Sequence, residues 1–439
     1  MDLVVKFGQL LLMLSILVIL HEFGHYITAK WFKVRVEKFY LFMDAGFSLF
    51  KKKIRDTEWG IGWLPLGGYV KLSGMIDESM DTDQMKSEPQ PWEFRSKPAW
   101  QRLIIMLGGI IVNIILAWLI YTVVYSTYGK KYVSTELIQE EGLAFGETGK
   151  QVGFMDGDRI INVDGKYQKR FDWMVLDVLL GDEVVVQRDG QPVTINLSDE
   201  DKKLILDNEG RDFIQPKKVT SVMVKSVVEG SNADKAGLKA DDIIKAVNGQ
   251  KFERFGDSNK IIQAHKNDTV TLNIIRDKKP IVLKGLVSPE GTLGFTQLPT
   301  GLIVEHYNFF SAMPEAVKES YDLLVYNVKQ FKLILRPSTG AYKHVNSVVG
   351  IANKLPSEWD WEFFWKFTAL FSIGLAFMNL LPIPGLDGGH ALFTIAEMIT
   401  GRKLSDKAAG VVQTVGMVIL LTIMALTFGK DIYEWVTAA

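Results

Sequence analysis

The chain has 439 residues, with 50 Lys and Arg against 51 Asp and Glu, and 47% of it is apolar. So even a charge balance leaves no basic excess for releasing counterions, which argues against nucleic acid as a partner. Cysteine is absent, so disulfides and thiolate metal sites are excluded and any metal must be held by His and carboxylate ligands.

Apolar and charged residues are both clustered, which predicts a membrane protein with a large soluble insert. The first apolar run leads, within Leu10 to Tyr26, into His21-Glu22-Phe23-Gly24-His25. In a helix His21 and His25 share one face, four residues apart, within reach of a single ion, and Glu22 stands beside them as a candidate general base. This is the HExxH pattern of zinc proteases, in which zinc holds a water and the glutamate takes its proton. A charged group at the bilayer centre costs about 2.5–3.5 kcal/mol on insertion scales, so ionisable residues ending a membrane-length run call for a metal. The run lacks a basic leader and a small-residue cleavage site, and it is expected to be retained as the first membrane helix.

Four segments have the length to cross a bilayer: Leu3 to about Tyr26, Leu103 to Tyr125, Phe363 to Leu381, and about Ala408 to Phe428. Lys366, near the start of the third, can snorkel to the interface. The cluster Lys51 to Arg55 and the group Arg402, Lys403 and Lys407 place their connections on the cytoplasmic side, which puts Ser126 to Glu362 on the exported side. The lysine run itself reads as a solvated or headgroup face.

Within residues 1–125, the stretch Glu58 to Leu72 alternates around Gly60 to Leu64 and has a turn-like Gly67-Gly68. It predicts a hairpin or loop over about 45–75, associated with the membrane, whose edge can receive an extended peptide. In the second span, Gly108, Gly109 and Asn113 predict close helix packing and one interhelical hydrogen bond.

The insert carries two similar passages, Val152 to Gly165 and Ala236 to Gly249, each an acidic turn followed by a short strand closing on Asp-Gly or Asn-Gly. Both resemble the core of PDZ domains, although the second has Asp241 where that family carries glycine, and Gly294-Phe295 resembles its carboxylate-binding loop. The expected domains are residues 126–214 and 215–300, followed by a helical linker at 301–362 and the last two membrane helices at 363–439. The linker holds an amphipathic helix from Ser311 to about Leu335, with Val317, Tyr321, Leu324, Val328, Phe331 and Leu335 as its apolar stripe, packed on the PDZ-like pair or laid on the membrane. Trp359, Trp361 and Trp365 mark an aromatic belt.

At the end of the third span, Asn379-Leu380-Leu381-Pro382-Ile383-Pro384-Gly385-Leu386-Asp387-Gly388-Gly389-His390 breaks the helix at two prolines. Asp387 is either a turn residue or a third ligand, and two histidines with one carboxylate leave a fourth zinc position for water. The ordered set of HEFGH, the GIGWLPLGGYVK loop, GGIIVN, two PDZ-like passages and NLLPIPGLDGGH resembles the site-2 protease family of intramembrane zinc metalloproteases over nearly the whole chain. Relatives often carry Gly-Pro where this chain has Gly108-Gly109.

The resemblance implies one zinc ion held by His21, His25 and Asp387, with Glu22 as base. It implies that Asn379 helps to hold substrate, as clamp or oxyanion donor, and that Gly67, Gly68 and Tyr69 belong to a membrane-reentrant β-element that clamps it. His390 reads as a structural or supporting histidine. Implied partners are trimmed single-span membrane proteins such as anti-sigma factors, signal-peptide remnants and membrane lipid, in a bacterial inner membrane with the PDZ-like pair exported. The expected fold is a polytopic α-helical membrane protein with four transmembrane helices, a membrane-associated β-hairpin or loop, and a tandem of two PDZ-like α/β domains. The competing readings are a non-catalytic PDZ-containing receptor or scaffold, and a metal-dependent transporter, for which no inverted repeat is visible.

Overall fold

The computed structural model of the chain is described for residues 2–437 apart from 66, 76–87, 209–212, 218–220, 253–256, 277–278, 300–301, 346–349, 351–354, 357 and 404. It divides into two compact units. The first contains Met1–Gly129, His306–Val328 and Val345–Ala439; the second contains Lys130–Glu305 and Lys329–His344.

In the first unit, helix α1 (Asp2–Trp31) is followed by strands β1 (Val36–Leu41), β2 (Met43–Ile54), β3 (Thr57–Leu64) and β4 (Tyr69–Leu72), and then by α2 (Ala99–Tyr128). Helix α3 (Phe309–Ile334) begins in this unit, which closes with α4 (Trp361–Leu380), α5 (Asp387–Thr400) and α6 (Asp406–Thr437). Among the described residues three helices are long and apolar enough to cross a membrane: Val4–Trp31, Ala99–Tyr128 and Trp361–Leu380. The fourth expected span lies inside α6, whose apolar stretch among the described residues is the shorter Gly410–Ile419.

Small residues let α1 and α2 touch along their backbones. A Cβ on Gly108 would come 2.6 Å from the Gly24 carbonyl oxygen and 2.7 Å from Thr28 Oγ1, so side chains there would force the helices apart. Helix α2 ends at Gly129, whose left-handed φ of 75° lets its N–H reach Tyr125 O. Asp360 caps α4 by accepting from Phe363 N at 3.0 Å, and Lys366 pairs with Glu362 at 2.7 Å. Arg102 on α2 meets Glu397 on α5 at 2.5 Å, tying those helices together.

The β-element is larger than a hairpin and closes elsewhere than expected. Its four strands run in the order β2-β3-β1-β4, with β1 and β3 parallel. The tight turn is at Arg55-Asp56, between Ile54 and Thr57, and not at Gly67-Gly68. After β3 the chain crosses to the far side of β1, where β4 pairs antiparallel and is the last strand of the sheet among the described residues. Gly67, with φ of 142°, sits in that crossing, a conformation in which a Cβ would be strained.

The expected helix over Ser311–Leu335 is present as α3, and small residues on it meet α2. Ala312 and Ala316 are buried in a cluster with Ala117, Tyr121 and Val124 of α2, and Trp118 Nε1 donates to Met313 O at 3.1 Å. The larger stripe residues Val317, Tyr321 and Val328 are exposed. The small residues allow a close backbone approach to α2, with Leu323 and Leu324 packed beside them.

The second unit holds two hydrophobic cores. One lies under the three strands Arg159–Val163, Glu183–Arg188 and Gln191–Asn196 and includes Phe154, Met174 and Phe213. The other lies under five main strands whose order runs from Lys279–Leu286 to the edge strand Phe295–Pro299, and includes Val224, Ile244 and Leu272. The two similar passages build the same local structure. Asp158 takes a forked contact from Arg188, whose Nη2 also donates to Gly153 O; Asp242, Arg276 and Gly237 repeat the arrangement. Asp164 and Asn248, both at positive φ, each accept a main-chain N–H from the following strand region, from Glu183 and Thr271. Gln215 pairs with Ala144 and Pro216 with Leu143, and Leu302–Glu305 pairs with Lys130–Val133.

Candidate metal centre

The HExxH pattern does what its spacing demands. On the continuous helix α1, His21 and His25 lie one turn apart on one face, with their Nε2 atoms 3.3 Å from each other. Asp387, the first residue of α5, brings Oδ2 to 3.2 Å from each Nε2. Ligand atoms around a tetrahedral zinc with bonds of roughly 2.0–2.1 Å are about 3.3–3.4 Å apart. The triangle therefore has the dimensions of three zinc ligands.

The chemistry of the donor set agrees with its size. His25 Nδ1 lies 2.8 Å from Ile105 O, a carbonyl that can only accept, so Nδ1 carries the proton and Nε2 presents a lone pair. Asp387 Oδ2 is buried and receives no hydrogen bond. Acceptor atoms converging on one point repel each other unless a cation lies among them. These residues fit a bound zinc ion.

The local sequence explains why Asp387 can arrive there. Pro382 and Pro384 cannot continue α4, and Gly388 and Gly389 let α5 begin against the carbonyls released by that break. A Cβ on Gly388 would come 2.6 Å from Leu380 O and 2.7 Å from Asn379 O, and one on Gly389 would come 2.6 Å from Ile383 O.

A cavity of about 640 Å³ opens on the triangle and is lined by Glu22, Gly67, Gly68, Tyr69, Asn379 and Gln413, among others. All the substrate-holding residues expected from the sequence thus share one cavity with the expected ligands and base. Gly68 passes against α1, where a Cβ would come 2.7 Å from Val18 Cγ1 and 3.3 Å from Glu22 Cγ. Tyr69 donates from its hydroxyl to Asp44 Oδ1 at 3.0 Å, and its ring stacks on Tyr40 with centroids 5.2 Å apart. Asn379 Nδ2 stands 3.3 Å from His21 Nε2. His390 also lines the cavity.

The interhelical hydrogen bond expected of Asn113 is present: its side-chain amide lies 3.1 Å from His21 Nδ1 on α1, a partner the sequence did not name. Sequence reasoning missed two further features. Gly109, read as a close-packing residue, is the floor on which both imidazoles rest: a Cβ there would come 2.5 Å from His25 Nε2 and 2.7 Å from His21 Nδ1. Gln413 of α6 is buried, with Oε1 unpartnered. The available signal was the spacing of Ile105, Gly109 and Asn113, four residues apart along one face of α2.

Peptidase family M50 matches this chain over residues 9–423. A candidate zinc metalloprotease of Neisseria meningitidis serogroup A is 29% identical, over 95% of this chain and 96% of that protein. The protease RseP of Yersinia pestis and the regulator of sigma-E protease RseP of Escherichia coli strain K12 are each 27% identical, with the same shares of each chain covered. The match runs from the first apolar helix through the second unit to α6, and the chain belongs to peptidase family M50, the site-2 proteases.

Proposed function

We propose that this protein is an intramembrane zinc metalloprotease that hydrolyses peptide bonds in membrane-spanning segments, with His21, His25 and Asp387 as zinc ligands and Glu22 as general base. The observation that carries the reading is the zinc-sized triangle of Nε2, Nε2 and Oδ2 atoms, at 3.2–3.3 Å, beside Glu22 in a cavity bordered by a sheet edge. The names of the RseP relatives and of the Neisseria protein support the same assignment. Zinc in such a site supplies Lewis-acid polarisation of a carbonyl and acidification of water.

The chain's own residues do the rest. Glu22 accepts the proton of the attacking water and passes it to the leaving amine. A membrane helix hides its carbonyls in its own hydrogen bonds, so a substrate must unwind before it can be cut, and its exposed backbone then needs partners in a medium without water. β4, the last strand of its sheet and part of the cavity wall, supplies them by strand addition. Gly67 takes the positive φ of the crossing, Gly68 lets the backbone run close to α1, Tyr69 is fixed by Asp44, and Asn379 donates to substrate from the other side.

The substrates in this reading are single-span membrane proteins already trimmed on the exported side, anti-sigma factors among them, and remnant signal peptides. The two repeated modules of the second unit act as PDZ-like domains on the exported side of a bacterial inner membrane. α6 is the fourth span.

Purified wild-type and Glu22→Gln protein, each assayed for zinc and for cleavage of a tagged single-span substrate, test the reading. Cleavage by the wild type alone, with zinc in both, is expected. Zinc-loaded wild type that cuts no trimmed substrate would refute the assignment and leave a binding scaffold.

A further inference from the structure

The face of α2 that carries Ile105, Gly109 and Asn113 meets both histidines of the centre. Ile105 O accepts from His25 Nδ1 at 2.8 Å and thereby fixes that ring's tautomer. Gly109 leaves the space the rings occupy. One turn further on, Asn113 is completely buried and its amide lies 3.1 Å from His21 Nδ1. Its main-chain oxygen accepts from Ser372 Oγ on α4 at 2.7 Å, which anchors this part of α2 independently of the side chain.

His21 directs Nε2 at the other two candidate ligands, so that atom must carry the lone pair and Nδ1 the proton. A buried N–H requires an acceptor. Asn113 is oriented with Nδ2, a donor, toward Nδ1, while its Oδ1 is buried without a partner. Amide nitrogen and oxygen are nearly equal in shape, and half a turn of the amide brings Oδ1 onto the Nδ1 proton.

Resting on the zinc assignment above, we propose that Asn113 is a positioning residue: its Oδ1 accepts from His21 Nδ1–H, holding His21 in the tautomer and orientation that present Nε2 to the metal. α2 then supports each histidine by a different device, a main-chain oxygen for His25 and a side-chain oxygen for His21. The substrate does not touch Asn113 in this arrangement, so its contribution is read in metal binding.

The test is the zinc dissociation constant of the detergent-solubilised full chain, measured by competition with a chelating dye. Wild type is compared with Asn113→Leu, Asn113→Asp, Asn113→Ser and Ser372→Ala. Loss of an outer hydrogen bond to a metal-binding histidine weakens affinity about 10–100-fold, which is the result expected for Asn113→Leu. Asn113→Asp keeps an acceptor and is expected to stay close to wild type, as is Ser372→Ala, which disturbs only the α2–α4 contact. If the leucine variant does not fold, Asn113→Ser, too short to reach Nδ1, takes its place. Wild-type affinity in the leucine or serine variant overturns the proposal, and so does equal weakening by leucine and aspartate. A wild-type chain without zinc, or His25→Ala with undiminished affinity, would instead sink the metal assignment itself.

Discussion

Gly109→Ala puts a single methyl group where the two imidazoles rest. The new Cβ would lie 2.5 Å from His25 Nε2 and 2.6 Å from His21 Cε1, roughly 0.9 Å short of the 3.4 Å at which ordinary contact begins. Helix propensity favours alanine by about 0.8–1 kcal/mol, whereas overpacking costs about 1–3 kcal/mol, so the fold itself is changed by at most about 2 kcal/mol. The centre has less tolerance. Its three donor atoms are 3.2–3.3 Å apart, and a shift of either ring by most of an ångström opens the triangle. Misplacement by about 1 Å costs about 100-fold in rate, and cleavage is expected to fall at least that far, with weaker zinc binding. Gly374→Ala is the control, since a Cβ on that α4 glycine meets nothing within 4 Å. Both variants are assayed for zinc affinity and for cleavage of the single-span substrate. Wild-type zinc affinity and cleavage in Gly109→Ala would show that the rings do not need that floor.

Two further outcomes concern the second unit. Arg276→Leu strips the forked contact from Asp242, a side chain 1% exposed, and should destabilise the second core by about 3–5 kcal/mol; hydrogen exchange in the strand Thr269–Arg276 reads the loss, and protection unchanged there would contradict it. Asp182 is hydrogen-bonded by the buried Lys202 and also by Arg336, which lowers its pKa from 3.8. A depressed carboxylate pKa stabilises the fold above the unfolded value, and the contribution is lost as pH falls through the folded one. Asp182→Asn should therefore lower the melting temperature at neutral pH, with the gap to wild type closing below pH 3.8. An offset that persists in acid would rule out this ionisation as its source.

The centre was legible wherever its logic is local. His21 and His25 declare their shared face through a four-residue interval, and the two prolines before Asp387 declare a broken helix without reference to anything else in the chain. Asn113 is 92 residues from His21, and a buried asparagine in a membrane helix looks the same whether it braces a neighbouring helix or a ligand. The sheet shows the same limit. Alternation marked β3 and the glycine pair marked a change of direction, but pairing depends on which strand lies next to which. The parallel partnership of β1 with β3 leaves no trace in either strand alone. In α3 periodicity identified the helix from its large apolar residues, while the alanines that meet α2 carry no periodic signal of their own.

The shortness of β4 bears on what kind of selectivity such a protein can have. Four residues, Tyr69–Leu72, span about 13 Å at roughly 3.3 Å per residue, and a strand adding to an edge bonds through alternate residues only. In the function proposed above, a visiting segment would meet a docking rail about two bonded residues long, which would grip the main chain and be indifferent to most side chains. Choice then falls on the cost of straightening one turn of the visitor's helix. On that proposal segments weakened by glycine, proline or β-branched residues would be admitted and well-knit leucine helices refused, a selection by deformability rather than by spelling.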